Sequence, residues 1–122
     1  MSGVSQAERA AWIVEAALSK KAERLVALDV RGVTSIADVF VIATGTSDRH
    51  VRAIADGVLE AASARGERPL GVEGYDDGRW LLIDLDDAIV HVFLAEVRDA
   101  YDLERLWSDA PPLAVAGVTA GS

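Results

Sequence analysis

The chain has no cysteine, only three prolines and only two histidines in 122 residues, and each shortage closes off a class of protein. Without cysteine there is no disulfide framework, no thiolate zinc site and no thiol nucleophile, and the composition suits a reducing compartment. With so little proline and with 51% hydrophobic residues, the composition is that of a soluble globular protein of one modest domain. No apolar run approaches the roughly 18 residues that a membrane span requires. Glu8, Arg9 and Glu15 interrupt the N-terminal stretch, unlike a signal peptide, so a cytoplasmic location away from membranes is expected.

Basic residues are scarce in one part of the chain. Residues 73–109 hold eleven aspartates and glutamates against Arg79, Arg98 and Arg105, so this third carries the whole net charge of −8. It would repel a phosphate backbone, which argues against direct DNA binding, and it matches a basic protein partner. The same charge could equally serve as a solubilising surface.

Hydrophobic spacing gives the order of elements. Ala10, Ile13, Val14, Ala17 and Leu18 form a helical stripe, and Ser5 with Glu8 reads as a capping box, so the first helix runs from Ser5 to about Lys20 with Trp12 beside its stripe. Leu25 to Val30 reads as a strand, and Asp38 to Gly45 as a second strand apolar enough to be buried on both faces. Ser47 caps a second helix that Gly66 ends. Strands at Leu70 to Glu73, Trp80 to Leu85 and Ile89 to Leu94 follow, the last two as a hairpin. Val97 to Trp107 reads as a final helix stopped before Pro111 and Pro112. These elements predict an α/β fold, a mixed five-stranded sheet flanked by helices, as a single domain over residues 1–112. Residues 113–122 are small and glycine-containing, and a disordered tail is expected.

Candidates for chemistry are few. Ser47, Asp48 and His50 resemble nucleophile, acid and base, but adjacent residues at a helix start diverge, whereas a triad must converge. His91, inside an alternating strand, reads as a structural or interface histidine. Gly45, Thr46 and Ser47 resemble the strand-turn-helix entry of nucleotidyltransferases, where backbone N–H groups hold nucleotide phosphates. A metal-dependent nucleotidyltransferase using that turn is therefore the enzymatic alternative. It lacks a second carboxylate beside the turn, and the one Asp-x-Asp, Asp84 and Asp86, falls at a strand end where aspartates are common for backbone reasons. In the segment Val72 to Trp80, acids and two aromatics surround a glycine-rich turn. Trp80, Leu82 and Asp84 share one strand face, and Leu81 and Ile83 share the other. Trp80 is either an exposed anchor with an acidic rim or packed under the last helix.

Several segments together resemble the ribosomal silencing factor (RsfS, or Iojap) family. They are Ala27-Leu28-Asp29-Val30-Arg31-Gly32, Ala37 to Ile42, Thr44 to Ser47, Val72-Glu73-Gly74, Trp80 to Asp84, Val90-His91-Val92-Phe93 and Tyr101 to Trp107, spanning about residues 8–112. The resemblance implies a five-stranded sheet of nucleotidyltransferase-like topology. It also implies binding to large-subunit ribosomal protein number fourteen, which blocks subunit joining and represses translation. It implies no turnover, no cofactor, and no catalytic or metal-holding residue. By motif, the ribosomal-protein-binding residues would be Trp80, Leu81, Asp84, Glu73, Arg98 and Tyr101. A homodimer is expected in the absence of ribosomes.

Overall fold

The structure, a computed structural model, describes residues 5–101, 105 and 108–118. Its elements are α1 (Gln6–Leu18), β1 (Glu23–Asp29), β2 (Val39–Gly45), α2 (Asp48–Ala64), β3 (Gly71–Glu73), β4 (Trp80–Asp84), β5 (Ala88–Leu94) and α3 (Ala95–Tyr101). The strands form one mixed sheet in the order β1-β2-β5-β4-β3, in which β2 and β5 run parallel and the other pairs antiparallel.

Local chemistry sets the helix starts. The Ser5 hydroxyl accepts the Glu8 amide at 3.1 Å and the Glu8 carboxylate accepts the Ser5 amide at 3.2 Å, which completes the capping box. α1 then lays Ala10, Ile13, Val14 and Ala17 against the sheet, and α2 adds Val51, Ile54 and Val58. On that side the strands present Leu25, Ala27, Val39, Val41, Leu81, Ile83, Val90 and Val92. The opposite side presents Leu28, Phe40, Ile42, Ile89 and Phe93, packed with Val97 of α3 and with Ala110. β2 is buried along its whole length, as its unbroken apolar run predicts for a strand covered on both sides.

Arg9 joins three parts of the fold. Its guanidinium donates to both Glu67 oxygens at 2.5 and 2.6 Å, to Asp87 at 2.9 Å and to the Leu85 carbonyl at 3.2 Å. The start of α1 is thereby tied to the segment after α2 and to the β4–β5 turn. The bond from Arg9 holds the Glu67 carboxyl below the usual carboxylate range. Trp12 lies under the guanidiniums of Arg9 and Arg65, at 5.6 and 5.0 Å, and over the core edge, as its position beside the α1 stripe predicts.

Two elements differ from expectation. The last helix begins at Ala95 rather than Val97, directly where β5 ends; Arg105 is also helical, and residues 102–104 and 106–107 lie outside the described residues. Residues 113–118, expected to be part of a disordered tail, dock. The Asp29 amide donates to the Pro111 carbonyl at 2.9 Å and the Leu113 amide donates to the Ala27 carbonyl at 2.8 Å, so the segment closes the outer edge of β1. Leu113, Val115 and Val118 then pack against the helix-side core. Small size at Gly117 permits this docking. Gly117, at φ +97°, lies so near α1 that a Cβ would sit 2.2 Å from Leu18 Cδ1. Residues 119–122 of the expected tail lie outside the described residues.

A candidate docking surface on one sheet face

Strand register decides which candidate side chains come together. Across the face that α1 and α2 do not cover, Glu73 pairs with Leu82, Leu82 with His91, and His91 with Ile42. Trp80 pairs with Phe93, and Asp84 pairs with Ile89. Directly paired residues point to the same side of a sheet and residues two apart do likewise, so Trp80, Leu82, Asp84 and Glu73 share this face. Trp80 is 41% exposed, Glu73 is exposed, and Leu82 and Asp84 are half-buried. The exposed-anchor placement of Trp80 is therefore the one adopted.

The remaining sequence candidates fare differently. Leu81 is 0% exposed and belongs to the core under α1 and α2. The family motif implies a binding role for it beside Trp80, but the two-residue period of a strand turns it to the opposite side, out of a partner's reach. Arg98, expected at the margin of the surface, is 1% exposed. Its guanidinium donates to the Arg24 carbonyl and to Thr44 Oγ1, both at 2.6 Å, and so pins α3 to β1 and β2. Because α3 follows β5 without a loop, Arg98 falls over the sheet instead of the solvent. Tyr101 lies in α3, and its side chain lies outside the described residues.

Beneath Trp80 is an aromatic layer whose members are not among the expected binding residues. The indole lies tilted on Phe93, with ring centres 4.9 Å apart at 41°, and its Nε1–H donates to His91 Nδ1 at 3.3 Å. His91 stacks with Phe93 at 5.9 Å and 5°, and the Phe40 ring meets it edge-on at 5.0 Å. With the indole donating to Nδ1, the imidazole proton sits on Nε2. Burial pushes the His91 pKa down to about 4, because a cation there would lose its hydration. The signal in the sequence was the period-two alternation, which places His91 and Phe93 on one face of β5 and Phe40 on the same side of β2. That periodicity does not say which face a helix leaves uncovered.

The glycine-rich turn ahead of Trp80 is folded onto α2. Tyr75 donates to Asp56 at 2.9 Å, and Arg52 donates to the Asp76 carbonyl at 3.2 Å. Gly74, at φ +78°, passes so close to the Trp80 carbonyl that a Cβ would lie 2.1 Å from its oxygen. Tyr75 therefore serves the helix side and Trp80 the open side, and the two aromatics of this segment are not one patch. The acids Glu73, Asp76, Asp77, Asp86 and Glu96 are exposed.

At the enzyme-like turn the polar atoms serve the fold. Ser47 Oγ accepts the His50 amide at 3.0 Å and caps α2. The His50 ring turns back, with Nδ1 accepting the Thr46 amide at 2.9 Å and Nε2 donating to the Lys20 carbonyl at 2.8 Å. Gly45 is needed for close approach, since a Cβ there would lie 2.8 Å from Val51 Cγ2. Asp84 Oδ1 accepts the Asp86 amide at 2.9 Å, a turn-forming contact. Among the described residues no group of three His, Cys, Asp or Glu side chains is arranged to hold a metal ion.

The fold and this face define a small mixed α/β domain with a candidate docking surface formed by one sheet face. A family model described as ribosomal silencing factor during starvation matches residues 4–121, and the chain belongs to that family. The chain is 46% identical over 105 residues to the ribosomal silencing factor of Halalkalibacterium halodurans, covering 86% of this chain and 90% of that one. It is 46% identical over 92 residues to the Bacillus subtilis factor, covering 75% and 78%. A crystal structure of a Chromobacterium violaceum protein superposes with a TM-score of 0.82 at 35% identity, covering 98% of this chain and 100% of that one.

Proposed function

We propose that this chain silences ribosomes by binding large-subunit ribosomal protein number fourteen and sterically blocking subunit joining, with no chemical turnover. The observation that carries the reading is the exposed Trp80 indole on a sheet face that also holds Glu73 and Asp84. An aromatic anchor rimmed by acids suits a basic protein surface, and such anchors carry a large share of binding energy at interfaces. The charge of the 73–109 third favours the same kind of partner and disfavours a direct approach to nucleic acid backbone. The protein acts in the cytoplasm. When free it forms a homodimer that partly hides the apolar sheet surface around Trp80.

Co-sedimentation with purified large subunits tests the reading. Wild type is expected to pellet with them at modest salt, and Trp80→Ala to weaken binding by about 2 kcal/mol, roughly thirtyfold. Wild-type protein that stays in the supernatant at every salt concentration would remove the proposal. The nucleotidyltransferase alternative predicts heat on titration with magnesium nucleotide. A flat titration is expected, because Ser47 and His50 are already engaged in capping α2 and tying it to the end of α1.

A further inference from the structure

We propose that His91 positions Trp80 for docking, by holding a hydrogen-bond acceptor at a fixed point under the indole N–H; the inference rests on the docking role of Trp80 given above. His91 occupies a place where a hydrocarbon would pack without penalty. Its partners across the sheet are Leu82 and Ile42, and its same-face neighbours along β5 are Ile89 and Phe93. At 7% exposure the imidazole is largely sealed from water, and among the described residues its Nε2 has no hydrogen-bond partner. A buried donor without an acceptor is a cost that leucine or phenylalanine would avoid. What the imidazole gains in exchange is the bond to Trp80, made through Nδ1.

The geometry makes that acceptor rigid. Phe93 stacks on one face of the imidazole and Phe40 abuts it edge-on, so Nδ1 cannot swing away. Trp80 also rests on Phe93, but it is far less enclosed than His91. It is the first residue of β4, directly after the turn that holds Gly74 and Gly78, and much of its ring meets solvent. A side chain free to change rotamer loses that freedom when a partner binds, whereas one already held loses less. A positioned indole would therefore show tighter binding without any new contact to the partner.

The test uses the full chain, 15N-labelled, with three indole N–H signals from Trp12, Trp80 and Trp107. The Trp80 signal is identified by its loss in Trp80→Phe. In wild type it should lie downfield and exchange slowly with solvent. His91→Leu should move it to the position of an unbonded indole and speed its exchange. His91→Asn, whose Oδ1 falls near the place of Nδ1, should restore it. Binding to large subunits should follow the same order, with His91→Leu about three- to tenfold weaker than wild type and His91→Asn close to wild type.

A purely packing role for His91 predicts instead that asparagine, a poor filler, behaves worse than leucine in both measurements. That order overturns the inference, as does a His91→Leu protein that keeps the wild-type signal and affinity. Thermal melting checks that each variant is folded. If His91→Leu does not fold, His91→Phe keeps a ring without the acceptor and takes its place. Failure of wild type itself to bind would remove the docking role and this inference together, so the two failures are told apart by the wild-type arm.

Discussion

The two sides of this sheet differ in kind. On the side covered by α1 and α2, the buried strand positions are aliphatic, from Leu25 and Val39 to Leu81 and Val92. The other side adds to the aliphatic Leu28, Ile42 and Ile89 the rings of Phe40, Phe93 and His91, the Thr44 hydroxyl and the guanidinium of Arg98, and it ends in an indole that meets solvent. Aliphatic packing is tolerant of detail and gains its energy from removal of area from water, so it suits a face whose task is to fold. Aromatic and polar groups must satisfy directional demands, and here they form a buried layer that leads out to the exposed ring of Trp80. On the proposed function, stability and recognition would be separated onto opposite sides of single strands, most sharply at the adjacent residues Trp80 and Leu81.

Truncating that pair gives the widest contrast. Leu81→Ala should cost about 3–4 kcal/mol of folding stability, the transfer loss plus a cavity, read from a denaturant midpoint. The folded fraction should keep its affinity for large subunits. Trp80→Ala should lose less stability, because much of the indole is already hydrated, while losing most of the affinity. If both variants lost stability and affinity in the same proportion, the two faces would not be separable in function.

Acid sharpens the comparison, because the open face holds a buried titratable ring. His91 has a folded pKa of about 4 against an ordinary 6.5, so below pH 6.5 the unfolded chain takes up a proton that the folded chain refuses. The stability contributed by the neutral ring is complete above pH 6.5 and is lost as pH falls towards 4, a total of about 3 kcal/mol. Glu67 adds a loss at lower pH. Its carboxyl is held below the usual value by Arg9, so that contribution is present above the ordinary 4.5 and disappears as pH drops through the folded value. Urea titrations at pH 7.5, 6, 5 and 4 should show the first loss in wild type and a flatter profile in His91→Leu. An equal slope in both would show that the ring does not resist protonation.

How far the sequence carried the fold depended on whether the information was local. The capping box of Ser5 and Glu8, the α2 cap at Ser47 and the buried run of β2 depend on residues within a few positions of one another, and all were readable. Period two also contains the facing of Leu81, which the family motif places with Trp80 as a continuous segment regardless of facing. Long-range information was not readable. Arg9 looks like a charge on the solvent side of α1, yet its partners Glu67 and Asp87 lie 58 and 78 residues away. Arg98 looks like a helix-surface cation, and only the direct passage from β5 into α3 turns it inward. The docking of residues 113–118 likewise depends on a free edge of β1, which no local pattern announces.

The smallest expected effect separates the candidate surface from the turn that most resembles an enzyme. Ser47→Ala removes the oxygen that accepts the His50 amide and should cost about 1 kcal/mol, the usual loss for an N-cap, seen as a lower denaturant midpoint. Because Ser47 lies at the start of α2, on the helix-covered side of the sheet, binding to large subunits should stay at the wild-type level. A serine that held phosphate would behave differently: its loss would abolish nucleotide binding, and nucleotide would raise the melting temperature of wild type alone. Equal melting temperatures with and without magnesium nucleotide, in both proteins, would leave Ser47 with the capping role only, and the open face as the side through which this chain acts.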